Sequence, residues 1–290
     1  MIANIKSLFF SERSFFLSLP AFLWHILLFY IPLLCILICS FVYIDEQTGQ
    51  YILSLHNYYF LSAGVYIMII MKSIMLSTGV ATLSLFIGYP LAYYIALKKR
   101  AFKNIFLSFL IIPFWTNVLV HIYAWFFVLE RNGILNAILL KIGIIREPIM
   151  ILNTMYAVVL VMVYCYLPFM VLPLFSILEK FDTRLIEASL DLGADQKQTF
   201  LHVILPLTYP GIATGFFLVF VPAFGEFMIP LLLGGDKHMF VGTLISHYFL
   251  IAATPEKGAA FTVMSSMILI GVVGIMYIGS KRLNKWMAQA

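Results

Sequence analysis

Charge is the scarcest feature of this 290-residue chain. Asp, Glu, Lys and Arg make up 11% of the residues, whereas hydrophobic residues make up 63% and aromatic residues 16%. A typical soluble domain is about a quarter charged and about half apolar. Because so few charges could not cover the surface of a globule, the composition excludes a soluble domain and a disordered chain. It predicts an integral membrane protein.

Features that would indicate an enzyme or a nucleotide-binding subunit are also missing. The three cysteines, Cys35, Cys39 and Cys165, lie in apolar runs without CxxC or metal-ligand spacing, so we interpret them as packing residues. No GxxxxGK[ST] phosphate loop occurs, and His56 and His238 have no nucleophile or metal pattern around them. The sequence therefore predicts no catalytic site, no metal site and no cofactor bound by this chain.

Long stretches without charge predict six membrane spans, since one span needs about 20 apolar residues. The predicted fold class is therefore an all-α integral membrane protein with six transmembrane helices. The polar start of the chain precedes an apolar stretch too long for a cleaved signal, so we expect it to stay as the first span. The predicted segments are an N-terminal segment 1–18, a membrane domain 19–280 and a tail 281–290, with spans at about 19–43, 73–97, 104–129, 154–178, 211–233 and 259–280.

The distribution of basic residues indicates the orientation of the spans. With six spans both termini lie on one side, and that side would hold twelve Lys and Arg residues against six on the other. Because cytoplasmic loops carry the excess of positive charge, both termini are predicted in the cytoplasm, with Lys98, Lys99 and Arg100 as the strongest anchor. The net charge of +5 then reflects topology rather than binding to nucleic acid.

Residues 179–210 form a long polar stretch on the predicted cytoplasmic side. Asp182 can cap a helix over about 183–192, and Gly193 follows where a glycine with positive φ commonly ends a helix. Asp195 and Gln198 have the spacing of a capping box for a second helix. We expect the two prolines that follow to end this second helix; they are Pro206 and Pro210.

This loop resembles the signature of permease subunits of binding-protein-dependent ABC importers. The signature is Glu-Ala-Ala, three residues, Gly, nine residues, Ile, one residue, Leu-Pro. In this sequence Ser189 replaces the last alanine and Val203 replaces the isoleucine, while the spacing is kept. The matching positions are Glu187, Ala188, Ser189, Gly193, Val203, Leu205 and Pro206.

The resemblance implies a type I importer permease in the bacterial inner membrane, with residues 179–210 as a cytoplasmic coupling loop that docks on an ATPase. ATP and Mg would bind to that ATPase. Six spans supply one half of a transport path, so a second permease subunit is expected, either a different chain or a copy of this one. Two cytoplasmic ATPase subunits and an external substrate-binding protein would complete the assembly in the lipid bilayer. The outer loops, including 130–153 and 234–257, would receive the binding protein.

Other segments resemble the spermidine/putrescine permeases, which implies a polyamine cargo and an external polyamine-binding protein. They are 112–117, 120–125, 132–136, 167–173, 222–230 and 233–235. The residue chemistry agrees, because Glu226 is the one acid within a predicted span and a carboxylate can balance an ammonium group. Aromatic faces would add cation–π attraction. The candidate substrate path consists of Glu226, Trp115, Asn117, Tyr123, Tyr164 and Phe224, with Thr116, His121, Trp125 and Tyr166 near them in sequence.

Alternatives stay open at this point. Glu226 can instead have a purely structural partner, and the aromatic residues can face lipid or the core. The same importer fold can carry ferric iron, thiamine or an oxyanion, although an oxyanion would favour basic residues in the path, and spans four to six have none. An ion-coupled secondary transporter would use Glu226 as a proton or cation site, but it leaves the paired helices at 183–204 without a role.

Overall fold

The computed structural model of the protein describes residues 19–44, 50–61, 63–98, 102–235 and 238–287. Most of these residues are helical. The predicted segment 1–18, most of the Lys98–Arg100 anchor and the end of the tail lie outside them. The helices, numbered here in chain order, are α1 (Leu19–Ser40), α2 (His56–Leu61), α3 (Gly64–Leu97), α4 (Lys103–Ile111), α5 (Val118–Leu129), α6 (Ile134–Lys141), α7 (Met155–Glu179), α8 (Arg184–Asp191), α9 (Gln196–Phe224), α10 (Met228–Leu233), α11 (Val241–Ile251) and α12 (Pro255–Met287).

The chain divides into two compact units, residues 1–63 with 247–266 and residues 64–246 with 267–290. In the smaller unit α1 leads into an antiparallel hairpin of β1 (Val42–Ile44) and β2 (Tyr51–Leu53). The larger unit contains most of the buried apolar residues, on α3, α7 and α9.

Six stretches of the described residues are long and apolar enough to cross a membrane, which confirms the predicted number of spans. They are Leu19–Ser40, Gly64–Leu97, Val118–Lys141, Met155–Glu179, Gln196–Phe224 and Pro255–Lys285. The second, third, fifth and sixth of these stretches differ in their bounds from the predicted spans. The second span begins nine residues before the predicted Ser73, because the exposed Lys72 does not interrupt its helix.

Glycines let the three central helices of the larger unit approach closely. A Cβ at Gly215 of α9 would lie 2.8 Å from Sδ and 3.1 Å from the carbonyl oxygen of Met170 on α7. A Cβ at Gly211, one turn earlier, would lie 3.3 Å from the carbonyl oxygen of Pro173. A Cβ at Gly88 of α3 would lie 3.1 Å from Cγ of Met170. Small residues four apart are a common device for close packing of membrane helices.

The predicted third span, 104–129, is not one helix. α4 ends at Ile111, a 3₁₀ turn covers Ile112–Trp115, and α5 starts afresh at Val118. Pro113 stands at the second position of the turn, and Asn117 caps α5 by accepting the N–H of Leu119 at 2.8 Å. Proline and a side-chain cap together begin a new helix, even though the apolar character of the sequence continues.

The expectation that Pro206 and Pro210 end the second loop helix was wrong. α9 runs through both prolines as far as Phe224. A π-helical turn over Phe200–Ile204 precedes Pro206, and the N–H of Leu205 bonds five residues back to Phe200. This wider turn places the first proline at the start of a renewed α-helical segment, where its missing N–H is tolerated. The predicted fifth span, 211–233, is in turn broken after Phe224, and its last part is the separate helix α10.

Candidate functional site

The loop between α7 and α9 has the local structure that its sequence predicts. α8 spans Arg184–Asp191, one residue shorter at each end than expected, and Asp182 accepts the N–H of Arg184 at 3.0 Å. Gly193 has φ +85°, which confirms the predicted left-handed glycine. The N–H of Ala194 bonds the carbonyl of Ser189, and that of Gly193 bonds the carbonyl of Leu190. These two bonds are those of a Schellman motif.

The start of α9 is fixed against α8 by side chains. Asp195 accepts the N–H of Gln198 at 2.7 Å, and the Gln198 side chain accepts the N–H of Asp195 at 2.9 Å, which confirms the capping box. The Ser189 and Thr199 hydroxyls are 2.6 Å apart and hydrogen-bonded. Because Thr199 is buried, this bond joins α8 to the first turn of α9 on the side away from solvent.

The signature positions divide into an outward and an inward set. Glu187, Ala188 and Gly193 are exposed, whereas Val203 packs against the apolar core of the larger unit. Beside the outward set lie exposed leucines, of which Leu192 is 89% exposed. Exposed apolar residues beside a rigid turn are typical of a surface that docks on another protein. The inward set includes the half-buried Ser189, Leu205 and Pro206.

An aromatic pair and a hydrogen bond join the first part of α9, next to the loop, to α3. Phe200, at the beginning of the π turn, packs edge-to-face on Tyr89 of α3 with ring centres 5.7 Å apart. The Tyr89 hydroxyl in turn lies 2.9 Å from Oγ1 of Thr208, and both residues are buried. A displacement of the loop would therefore act directly on α3 and α9.

Glu226 lies in the break between α9 and α10, where its carboxylate binds three donors. Tyr166 of α7 donates its hydroxyl to Oε2 at 2.7 Å. The N–H groups of Met228 and Ile229 donate to Oε1 at 2.9 and 3.4 Å, at the start of α10. The side chain is half-buried, and its carboxylate balances the partial positive charge at the start of α10. Among the described residues its partners are thus a tyrosine and backbone groups rather than a basic side chain.

The backbone around Glu226 is tightly enclosed by α11. A Cβ at Gly242 would lie 2.3 Å from the carbonyl oxygen of Gly225 and 2.8 Å from that of Glu226. The N–H of Val241 bonds Oγ of Ser73 on α3 at 2.8 Å. Only glycine fits at residue 242, so the helix break that presents Glu226 is a fixed feature of the fold.

Of the six predicted path residues, Tyr164 lines a cavity beside α7, together with Thr116 and His121. This cavity of about 180 Å³ is lined by Thr116, His121, Tyr164 and Cys165 together with apolar residues. The Thr116 hydroxyl bonds Nε2 of His121, and the Tyr164 ring contacts those of His121 and Trp125 at centre distances of 5.9 and 5.4 Å. Tyr166, which bonds Glu226, is two residues from Tyr164 on the same helix, so the two side chains point to different sides of α7.

Other predicted path residues have different surroundings. Trp115 is 89% exposed and Tyr123 is also exposed. The Asn117 side chain caps α5, as described above. Phe224 is 3% exposed and packed inside the larger unit, so it does not face open space in this structure. Sequence patterns cannot separate these environments, because all four residues lie in similar apolar stretches.

Comparison with known families shows which family the chain belongs to. Residues 88–288 match the model of the family described as binding-protein-dependent transport system inner membrane component. The chain belongs to this family. It is therefore an inner-membrane transport component and not an enzyme, and the matched region contains the loop 179–210, α7, α9 and Glu226.

Relatives of this inner membrane component extend over almost the whole chain. The spermidine/putrescine transport system permease protein PotB of Haemophilus influenzae is 40% identical over 266 residues, which cover 91% of this chain and 93% of the relative. PotB of Escherichia coli K12 is 38% identical over 263 residues, covering 90% and 96%. A crystal structure of a bacterial alginate ABC transporter matches with a TM-score of 0.74 at 17% identity, over 97% of this chain and 98% of that one. The fold is that of a type I importer permease.

Three features of the inner membrane component, two contacts and one exposed side chain, were not foreseen from its sequence. They are the Ser189–Thr199 bond, the Tyr166–Glu226 bond and the exposure of Leu192. The spacing of ten residues between Ser189 and Thr199 across a helix–turn–helix was a usable signal, because both hydroxyls flank the same glycine turn. Tyr166 and Glu226 are sixty residues apart, and no local pattern links them.

Proposed function

We propose that this chain is the permease subunit of an ATP-driven importer that carries a polyamine, putrescine or spermidine, into the cytoplasm. The observation that carries the proposal is the identity of about 40% to a spermidine/putrescine permease over nine-tenths of both chains. An identity of this size along the full membrane domain is better explained by a shared cargo class than by a shared fold alone. Ferric iron, thiamine and oxyanions are correspondingly less favoured.

Coupling to ATP hydrolysis is assigned to the outward signature residues. Glu187, Ala188 and Gly193, with Leu192 beside them, would meet a cytoplasmic ATPase that binds ATP and Mg, while this chain binds neither. The Schellman turn and the Ser189–Thr199 bond make the docking surface rigid, so that a movement of the ATPase is transmitted rather than absorbed. Phe200, against Tyr89, would pass the movement on to the central helices.

Recognition of the cargo is assigned to Glu226 and the side chains around the cavity beside α7. A carboxylate has about four acceptor positions, and three donors leave room for one more. An ammonium group of the polyamine would occupy it, and Tyr164 and His121 would contact the cargo where it passes the cavity beside α7. Trp115 and Tyr123, exposed in the single chain, would line the path only where a second permease subunit faces them.

The proposed assembly follows from these assignments. Both termini lie in the cytoplasm, and a second permease subunit, different or identical, completes the path. Two ATPase subunits bind the cytoplasmic side, and a polyamine-binding protein delivers the cargo to the outer loops. An ion-coupled secondary transporter would give no role to the coupling loop.

Uptake of labelled putrescine and spermidine by cells with and without the gene for this chain tests the proposal. The other subunits stay in place. Loss of uptake that returns on complementation supports the polyamine assignment, and the ratio of the two labels identifies the preferred cargo. Unchanged uptake of both polyamines would contradict the cargo assignment, although family membership would stand.

A further inference from the structure

A groove in the larger unit is not used by the proposed transport path. It has a volume of about 250 Å³ and lies between the first half of α9 and the last turns of α12. The residues that decide its chemistry are Tyr209, Ala213 and Phe217 from α9 and Tyr277, Lys281 and Asn284 from α12.

The residues from α12 present their polar groups to the groove together. Tyr277, Lys281 and Asn284 are spaced by four and three positions, and residues at this spacing are neighbours on one face of a helix. All three are exposed, so a ligand in the groove can reach them. Within the described ranges neither Lys281 nor Asn284 forms an ion pair or a side-chain hydrogen bond, so their N–H donors are available.

The groove changes from polar to apolar along its length. Tyr209 lies at the level of Ser280, to which its side chain is hydrogen-bonded, and therefore next to Lys281. Ala213 and Phe217 lie one and two turns further along α9 and carry no polar side-chain atom. A ligand that matches this order has a polar head and an apolar tail.

The charge at the polar end is positive. Lys281, Arg282 and Lys285 are the only charged residues between positions 258 and 290, and neither this stretch nor α9 contains Asp or Glu. A cationic ligand such as a polyamine would be repelled, whereas a phosphate group would be attracted, since lysine binds phosphate as a point charge. Free phosphate would leave the apolar half of the groove unfilled.

We propose that this groove binds an anionic phospholipid, with Lys281 and Asn284 at its phosphate and Ala213 and Phe217 along an acyl chain. With the termini in the cytoplasm, the polar end lies at the cytoplasmic leaflet, whose anionic lipids attract basic residues next to the membrane. The bound lipid would fill the space between α9 and α12. The site does not depend on the cargo, and only the choice of leaflet rests on the proposed orientation.

Native mass spectrometry of the purified transporter tests the proposal. It is titrated with phosphatidylglycerol, with zwitterionic phosphatidylcholine of the same acyl chains, and with glycerol 3-phosphate, which has the phosphate but no acyl chain. Lys281→Gln removes the charge from the groove, and Ala213→Leu fills its apolar half. Arg282→Gln is the matched control, because it removes the same charge about 100° further round the helix, where the side chain does not line the groove.

The wild type should bind phosphatidylglycerol about fivefold more tightly than phosphatidylcholine, the factor expected from one basic residue at a membrane surface. Lys281→Gln should remove this preference, Ala213→Leu should weaken binding of both lipids, and Arg282→Gln should leave both unchanged. Equal losses in the Lys281 and Arg282 variants would indicate general attraction to the basic end of α12 and overturn the site.

Two further outcomes would also overturn the proposal. Binding of glycerol 3-phosphate as tight as that of phosphatidylglycerol would identify a soluble phosphate as the ligand instead of a lipid. Equal binding of the two lipids by the wild type would mean that the groove does not select a charge, as expected if a second permease subunit covers it.

Discussion

The hydroxyl of Tyr166 donates a 2.7 Å hydrogen bond to the carboxylate of Glu226, joining α7 to the break between α9 and α10. The other oxygen of Glu226 accepts two N–H groups at the start of α10. The acid predicted to face the cargo is therefore also part of the scaffold. A variant of Glu226 can affect transport, stability or both, so the two effects need separate measurements.

Glu226→Gln should lower polyamine uptake about tenfold or more, because a hydrogen bond to a charged group contributes about 1.5–3 kcal/mol. Glutamine keeps the shape and can still accept from α10, so assembly with the other subunits should persist. Uptake kinetics and co-purification measure the two properties. Glu130→Gln, at an exposed loop acid, is the control. Unchanged uptake would show that Glu226 has a structural role and does not bind the cargo.

Tyr166→Phe should lower the free energy of unfolding by about 1–3 kcal/mol, because it removes the donor from Oε2 of Glu226. Thermal unfolding in detergent measures the change. Tyr164→Phe, on the same helix and bordering the cavity, should change stability by no more than about 0.5 kcal/mol. Equal shifts in the two variants would show that the Tyr166 hydroxyl has no special contribution.

The local structure of the loop 179–210 could be predicted closely because its signals are local. Asp195 and Gln198 are three residues apart, and Gly193 stands directly after the last turn of α8, so caps and turn follow from sequence spacing alone. The number of spans also follows, since hydrophobic length decides it.

Features that depend on contacts between distant residues could not be predicted. The third span continues to look apolar through Ile112–Trp115, and only Pro113 and the Asn117 cap break it. The continuation of α9 through Pro206 depends on the π turn at Phe200–Ile204, which no residue pattern predicts. The β1–β2 hairpin was missed as well, because its strands are only three residues long.

Gly193→Leu should weaken co-purification with the ATPase and reduce transport. A side chain at φ +85° adds strain of about 1–2 kcal/mol, and no neighbour lies within 4 Å of the added Cβ, so a leucine would project from the proposed docking surface. Gly193→Asn, which tolerates the left-handed conformation, is the matched control and should retain most activity. Normal ATPase binding and transport in the leucine variant would contradict the docking assignment.

The Ser189–Thr199 bond should couple the two loop helices by about 0.5–1.5 kcal/mol. Ser189→Ala, Thr199→Val and the double variant form a cycle in which the two single losses of stability should not add. Chemical denaturation of the purified complex measures them. Strict additivity would mean that the hydroxyls at 2.6 Å contribute no pairwise energy.

Gly215→Val should destabilise the membrane domain by about 1–3 kcal/mol, because its side chain would overlap Met170 of α7. Thermal unfolding again provides the readout. Gly271→Val in α12 is the control, since no atom lies within 4 Å of a Cβ placed there. A similar loss in both variants would indicate a general effect of valine in a helix rather than close packing of α7 and α9.

The central claim is ATP-driven polyamine import through this chain, and uptake by proteoliposomes tests it most directly. The complete transporter and its binding protein are reconstituted, and labelled putrescine or spermidine is supplied with and without ATP, in the presence of ionophores that abolish ion gradients. The account predicts uptake that requires ATP and persists with the ionophores. Uptake that ignores ATP but disappears with the gradients would contradict it.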